Sequence, residues 1–292
     1  MALAQATLIT RVRRLLDDDP YEGRITTAYT AGGTIVTDDG TKWAVGDWGE
    51  FDETPWDHFL VRSISTNTLT VKSGHHNTTD TNHTDEIPIK KAPFYAAQQI
   101  IRAIDQTIQE LWPHAWKSIT SPSVTPSTTT VWYDGAATWL GLISVNQRHG
   151  TSDREIGLFG AAGTGRSVIL QRNLPTGLVA STVGVRFPGG FFHSSNTVNV
   201  AARGAITTTI ASSSYSDVDD GLLAEALIHG AAAKLVGAKG IPRVGEDTTV
   251  GDATVRPRDR FTAAAWFEAE YRRVLHAFNL YLRDTLPPMG VW

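Results

Sequence analysis

The chain reads as an α+β protein, a helical core that carries two inserted antiparallel β modules. Three observations predict this. Helical apolar spacing recurs at the beginning, the middle and the end of the chain, and the two stretches between switch to β-like alternation. The chain is also long enough, at 292 residues with 41% apolar content, to bury about two domains. The expected division places residues 1–20, 91–116 and 217–292 in the helical core. Residues 21–90 form a first β insertion, a small barrel or sandwich, and 117–216 a second, a jelly-roll-like sandwich.

Each helical segment has its own signature. In residues 4–17, Leu8, Val12, Leu15 and Leu16 make an apolar side and Arg11, Arg13 and Arg14 a wet one. Asp17, Asp18, Asp19 and Pro20 stop that helix, and the adjacent carboxylates read as a solvated terminus rather than a metal site. The stretch 91–116, KAPFYAAQQIIRAIDQTIQELWPHAW, is the centre of the plan. Phe94, Ala97, Ile101, Ile104, Ile108 and Leu111 recur at steps of three and four and so line one helix face. Pro93 suits the first turn and Pro113 forbids continuation. Near the end, Ser216 and Asp219 cap a helix in which Ala226, Gly230, Ala233 and Gly237 form a stripe of small residues. Such a stripe lets another helix press close, with 91–112 as the candidate. Residues 240–258 read as an exposed loop. In the last helix, 260–283, Ala264, Phe267, Tyr271, Val274, Phe278 and Tyr281 share a face. Phe94, Ile101, Ile104, Ile108 and Leu111 are expected to pack on Phe267, Tyr271, Val274 and Phe278, the two longest apolar stripes together.

The β segments are shorter-ranged. In the first, strands are expected at 25–29, 34–37, 59–64 and 68–72, with Gly32–Gly33, 38–40 and Thr66–Asn67 as turns. The second offers seven candidates, at 128–133, 140–145, 154–159, 168–172, 179–187, 197–201 and 206–210. Between them, His75, His76 and His83 with Asp80 and Asp85 are metal-ligand types, but their Thr- and Asn-rich setting reads as an exposed polar loop.

Composition excludes several classes. A net charge of −4 argues against a protein that coats DNA or lies on an anionic membrane. With no cysteine there is no disulfide framework and no thiolate metal site. No run approaches the ~18 apolar residues of a membrane span, and no signal peptide opens the chain, so a soluble protein made in the cytoplasm is expected. The segment 160–167, GAAGTGRS, has the spacing of a phosphate-binding loop, yet Arg166 stands where lysine belongs and a strand pattern follows where a helix is required. No nucleophile elbow, zinc-protease pair or dinucleotide fingerprint occurs, and His229 and His276 sit on helices as packed residues do. No enzyme, cofactor or metal is expected. The tail TLPPMGVW ends on apolar groups. Leu286, Pro287, Pro288, Met289, Val291 and Trp292 either fold back on their own subunit or dock in a groove of a partner.

One ordered series of motifs points further. A helix is followed by WAVGDWGEFDE, then FLVRSISTNTLTVKSG, then a Thr/His loop ending in EIPIKKAPF, then QQIIRAIDQTIQELWP. This order resembles head–tail adaptor (connector) proteins of tailed bacteriophages, and the later VWYDGAATWLGLISV, GRSVILQRNLPTG and LLAEALIHGAAAKL look like the same class. The resemblance covers most of the chain and departs at the Thr/His loop, where Asp80 and Asn82 interrupt small apolar residues. It implies a structural virion protein in the neck at the capsid vertex, a dodecameric ring bound to the portal protein and to a tail or second neck protein. DNA would pass through its lumen without sequence-specific binding, and the C-terminal tail would dock on the portal or a neighbouring subunit. A different reading is a carbohydrate-binding β-sandwich of a virion or secreted protein, with Trp132, Trp139 and residues 189–196 stacking on sugar rings.

Overall fold

The computed structural model describes residues 3–18, 20, 22–111, 114–120, 132–149, 152–156, 168–187, 198–206, 214–215, 217–218, 221–240, 248–250, 253–255 and 257–285. The protein is of mixed α+β class, with four helices and antiparallel sheets among these residues. The chain falls into two compact units: Met1–Gln109 with Thr208–Leu275, and Glu110–Thr207 with His276–Trp292. No described helix is long and apolar enough to cross a membrane.

The first unit opens with a two-residue strand, β1 (Leu3–Ala4), and helix α1 (Gln5–Leu15). Leu8, Ile9 and Val12 are buried, as the spacing requires, but so is Arg13, which the sequence placed on the wet side. A six-stranded antiparallel sheet follows, built from β2 (Glu22–Arg24), β3 (Thr34–Val36), β4 (Trp48–Phe51), β5 (His58–Ser65), β6 (Thr68–Ser73) and β7 (Pro88–Lys91) in the order β2-β7-β4-β5-β6-β3. Its two edge strands meet. Ile25 bridges Thr37, the Thr26 amide donates to the Val36 carbonyl (2.7 Å), and the Asp38 amide donates to the Arg24 carbonyl (2.9 Å). That contact covers edges that would otherwise expose unpaired backbone groups. Ile25, Tyr29, Ile35, Trp43, Phe51, Phe59, Val61, Leu69, Ile87 and Ile89 fill the interior. Gly49 has a steric reason: it lies opposite Phe59 in the β4–β5 register, and a Cβ there would run into the Phe59 ring.

Helix α2 spans Ala97–Glu110. It starts later than the sequence suggests, so Pro93 and Phe94 precede it. Ala92 holds a left-handed φ of 42°, and the Phe94 and Tyr95 amides are taken by the Asp18 carboxylate, so this segment follows a non-helical path. The buried face of α2 is Ala97, Ile100, Ala103, Ile104, Thr107 and Ile108.

The second unit contains β8 (Lys117–Thr120), β9 (Tyr133–Asp134), β10 (Trp139–His149), β11 (Ser152–Ile156), β12 (Ile169–Gln171), β13 (Gly184–Arg186) and β14 (Val198–Gly204). They form a four-stranded sheet, β11-β10-β14-β8, and a three-stranded sheet, β12-β13-β9. One core draws on both: Trp139, Val145, Val198, Val200 and Ala202 from the first, and Val185 with Tyr133 and Leu170 from the second. Strand β8 was not foreseen, whereas Ile206 lies outside any strand and residues 207–210 lie outside the described residues.

The chain then returns to the first unit with β15 (Ser214–Tyr215), which pairs with β1, and helix α3 (Leu222–Gly240). Of the expected cap, Ser216 and Asp219 lie outside the described residues. The region read as a loop holds a strand pair, β16 (Thr248–Val250) and β17 (Ala253–Val255). Helix α4 spans Pro257–Thr285. The small-residue stripe meets α2 at Gly230 alone, where a Cβ would strike the Thr107 methyl and also touch the Tyr271 ring of α4. Gly237 has nothing within 4 Å, Ala233 packs on Phe267, and α3 also packs along α1. The expected pairing of α2 with α4 at Phe267 is corrected. Phe267 clusters with Ala232 and Ala233 of α3 and with Leu15 and Leu16 at the end of α1.

Candidate functional site

Two groups of buried polar side chains stand out in the first unit, and neither was recognised in the sequence. The first centres on Glu50. In β4 it lies opposite His58 of β5 on one side and Lys90 of β7 on the other. Its side chain is wholly buried. Oε1 accepts from Arg13 Nη2 at 2.6 Å, and Oε2 accepts from the Ala97 amide at 2.7 Å and faces His58 Nε2 at 3.1 Å. Arg13 also donates to the Tyr95 carbonyl, at 3.1 Å from Nη2. Asp52 lies 3.8 Å from Arg13 and 2.9 Å from Lys90 Nζ. Asp18 completes the joint by accepting the Phe94 and Tyr95 amides at 3.0 and 2.9 Å. The carboxylates after α1 are therefore not all a solvated terminus, since Asp18 caps the approach to α2.

The electrostatics follow from these partners. Burial pushes the Glu50 carboxyl up, but His58, Arg13 and the Ala97 amide together outweigh it and hold the group below the usual carboxylate range. A carboxylate at the start of α2 also meets the positive end of the helix. Every oxygen of Glu50 is engaged by a fixed donor and shielded from solvent, so the group acts as a joint between α1, the sheet and α2. A polar cleft of about 390 Å³ lies beside it, lined by Thr10, Arg13, Arg14, Asp17, Asp18, Pro20, Glu22 and Lys90. Cations and carboxylates alternate around its wall, which selects no ligand of one sign.

The second group centres on His83. Its backbone exchanges two hydrogen bonds with Tyr29, at 2.9 and 3.0 Å, which clamps the loop to the sheet. The ring stacks on Phe51 with centroids 4.0 Å apart and planes 18° from parallel. Nδ1 lies 3.2 Å from Glu53 Oε2, and Nε2 lies 3.2 Å from Asp57 Oδ2. Thr81 donates to Asp57 through both its amide and its hydroxyl. Asp80 accepts from the Tyr29 hydroxyl (3.0 Å) and the Gly32 amide (2.7 Å), while Asn82 accepts from the Ala31 amide (2.9 Å). Burial lowers the His83 imidazole, but hydrogen bonds and charge from Asp57 and Glu53 outweigh this and raise it above the ordinary value.

Thr81, His83 and Glu53 stand in the order of a hydroxyl, an imidazole and a carboxylate, with Thr81 Oγ1 3.3 Å from Nε2. The chemistry of that order requires a free imidazole nitrogen to accept the hydroxyl proton. Here Asp57 receives the Thr81 hydroxyl and also faces Nε2, so that nitrogen is not free to take the hydroxyl proton. The loop read as exposed and polar is thus corrected for His83, which is buried, although His76 is exposed as expected. His75 and His76 lie with ring centroids 3.9 Å apart, and His76 also packs edge-on against Trp48. Burial, then the neighbouring histidines, hold both imidazoles below the usual range. Among the described residues no group of three or more His, Asp or Glu is placed to hold a metal ion.

The other anticipated residues divide. Ile104, Ile108 and Leu111 are buried, as are Phe267, Tyr271 and Val274. Ile101 and Phe278 are half-buried, and Phe94 is 44% exposed because it precedes the helix and turns against the Tyr95 ring. Tyr281 is likewise exposed. Trp139, offered for sugar stacking, is 2% exposed within the second unit's core and presents no face to a ligand. Residues 160–167, 189–196 and 286–292 lie outside the described residues. A signal for Arg13 was present: Ile9, Val12, Arg13 and Leu16 share one helix face. Glu50 carried no such signal: it shares the Trp48 face of its strand, opposite the Gly49 and Phe51 face that meets the interior, and only α1 and α2 bury it. No protein-family model and no curated protein matches the chain.

Proposed function

We propose that this chain is the subunit of a head–tail adaptor ring in the neck of a tailed-bacteriophage virion, joining the portal protein to the tail or a second neck protein. The observation that carries the reading is the ordered motif series from WAVGDWGEFDE to QQIIRAIDQTIQELWP. The roles of those motif residues support it. Gly49 makes room for Phe59, and Glu50 ties α1, the sheet and α2 together, so the motif residues serve construction rather than reaction. In this reading the chain is not an enzyme and takes no cofactor. In each subunit the unit of Met1–Gln109 with Thr208–Leu275 holds the helical core together with the first β module, 21–90, a small barrel or sandwich. The unit of Glu110–Thr207 with His276–Trp292 holds the second, a jelly-roll-like sandwich.

Helix α4 supplies surface for assembly: Trp266 is 53% exposed, and Leu280 and Tyr281 are exposed on the same helix. A dodecamer would close through heterologous contacts, the same two patches repeating around the ring. The net charge of −4 suits a lumen that lets duplex DNA slide, since a basic channel would bind phosphates in a salt-sensitive manner. The subunit is made in the host cytoplasm, needs no membrane, and incorporates at the portal vertex. The tail residues Leu286, Pro287, Pro288, Met289, Val291 and Trp292 dock on the portal or on an adjacent subunit. Co-sedimentation tests the reading: the protein is expected to pellet with purified portal rings and to ignore a glycan array. Binding to glycans without binding to portal rings would overturn it.

A further inference from the structure

We propose that His83 is a proton-held latch: an imidazolium pinned between Glu53 and Asp57 fastens residues 80–83 to the sheet, and loss of that single proton loosens them. The argument is geometric. Each ring nitrogen points at a carboxylate oxygen, both at 3.2 Å. A neutral imidazole carries one N–H, so one of these contacts would become a lone pair facing an anion. Only the doubly protonated ring satisfies both. The site is also dry on the histidine side, since the His83 and Asp57 side chains are 1% and 3% exposed, while Glu53 reaches solvent. A charge so enclosed persists because it is paired on both sides.

The groups around the ring are few. Glu53 and Asp57 are the charged neighbours, Thr81 adds a hydroxyl, and Phe51 and Tyr29 flank the ring. Asp80 is held beyond Tyr29 by the phenol hydroxyl. No cation stands among them to oppose protonation. Beside the ring, Thr81 is tied to Asp57, Asp80 to Tyr29 and Gly32, and Asn82 to Ala31. The ends of the loop are held separately, by the His58 amide on Thr78 and by the backbone bonds of Glu86 and Ile87 with Ile25. Removing the proton leaves one N–H, which stays with the buried Asp57, and turns the Nδ1 lone pair toward the Glu53 carboxylate. The latch thus loses one of its two bonds, and the backbone pair of His83 with Tyr29 is held less firmly.

The sign is fixed by the raised affinity for the proton. The latch contributes fully below the ordinary histidine value of 6.5 and is lost as pH rises through the higher folded value. Because one proton is involved, opening should increase up to about tenfold per pH unit above the folded value. The test uses the intact chain. Imidazole nitrogen NMR across a pH series is expected to show His83 losing its proton above the ordinary value of 6.5, and hydrogen-exchange protection factors at the Tyr29 and His83 amides are expected to fall with rising pH. The variant His83→Gln should lose that pH dependence while keeping its circular dichroism, and Glu53→Gln, which leaves Asp57 and its Thr81 bonds in place, should shift the fall to lower pH. A His83 that loses its proton at or below the ordinary value of 6.5, or protection that stays constant up to about pH 9 in the parent chain, would overturn the proposal.

Discussion

Glu50→Gln removes one negative charge from the joint while keeping its shape. The amide retains one acceptor oxygen, so either the Arg13 contact at 2.6 Å or the Ala97 contact at 2.7 Å survives only as a neutral hydrogen bond. Arg13, 3% exposed, would then keep its bond to the Tyr95 carbonyl at 3.1 Å, but its remaining counter-charges, Asp52 and Asp18, stand at 3.8 and 3.9 Å, both beyond hydrogen-bond distance. Breaking a buried pair by removing one partner costs about 3–5 kcal/mol, and the retained amide bonds favour the lower end, about 3 kcal/mol. For a domain of this size that is a loss of roughly 6–12 °C in Tm. Equilibrium urea unfolding followed by tryptophan fluorescence measures it. The pH dependence is a second signature. Because the folded carboxyl is held below its ordinary value of 4.5, its contribution is full above that value and is lost as pH falls through the folded value. The gap between parent and variant should therefore close in acid. A second substitution, Arg13→Met, should recover part of the loss by removing the stranded cation. A variant within about 0.5 kcal/mol of the parent, the ordinary scatter of surface substitutions, would refute the reasoning.

Three further outcomes follow from the packing. Ile104→Ala, at a fully buried position of α2, should destabilise by about 2–5 kcal/mol in the same assay. Gly230→Ala should lose about 1–2 kcal/mol, since overpacking against the Thr107 methyl exceeds the helix-propensity gain. Adding Thr107→Ser, which removes that methyl and keeps the hydroxyl bonded to the Ala103 carbonyl, should restore it. Deleting residues 286–292 should leave circular dichroism and melting unchanged and abolish attachment to portal rings; loss of the fold instead would mean the tail belongs to its own subunit.

Legibility in the sequence tracked how local the cause was. The β5–β6 hairpin was readable because its alternation and its Thr66–Asn67 turn lie within one short window. The approach of α3 to α2 at Gly230 was readable because small residues at helical spacing have few other uses. Strands β4 and β7 were missed because they are four residues each and carry Glu50, Lys90 and Lys91, whose burial or pairing depends on distant partners. Helix α2 starts late for a reason 76 residues away, the Asp18 carboxylate on the Phe94 amide. His83 looked like one more polar loop residue because Glu53, Asp57 and Phe51 reach it only through the fold. Charged residues whose partners are remote are thus where sequence reading stopped, and both polar groups of the first unit are of that kind.

The adaptor reading is tested most directly by negative-stain electron microscopy of the purified protein mixed with its cognate portal ring. The account predicts end-on views in which a second ring of this chain sits coaxially on the portal with an open lumen. Portal rings left bare, with this protein dispersed as free subunits at every mixing ratio, would contradict it.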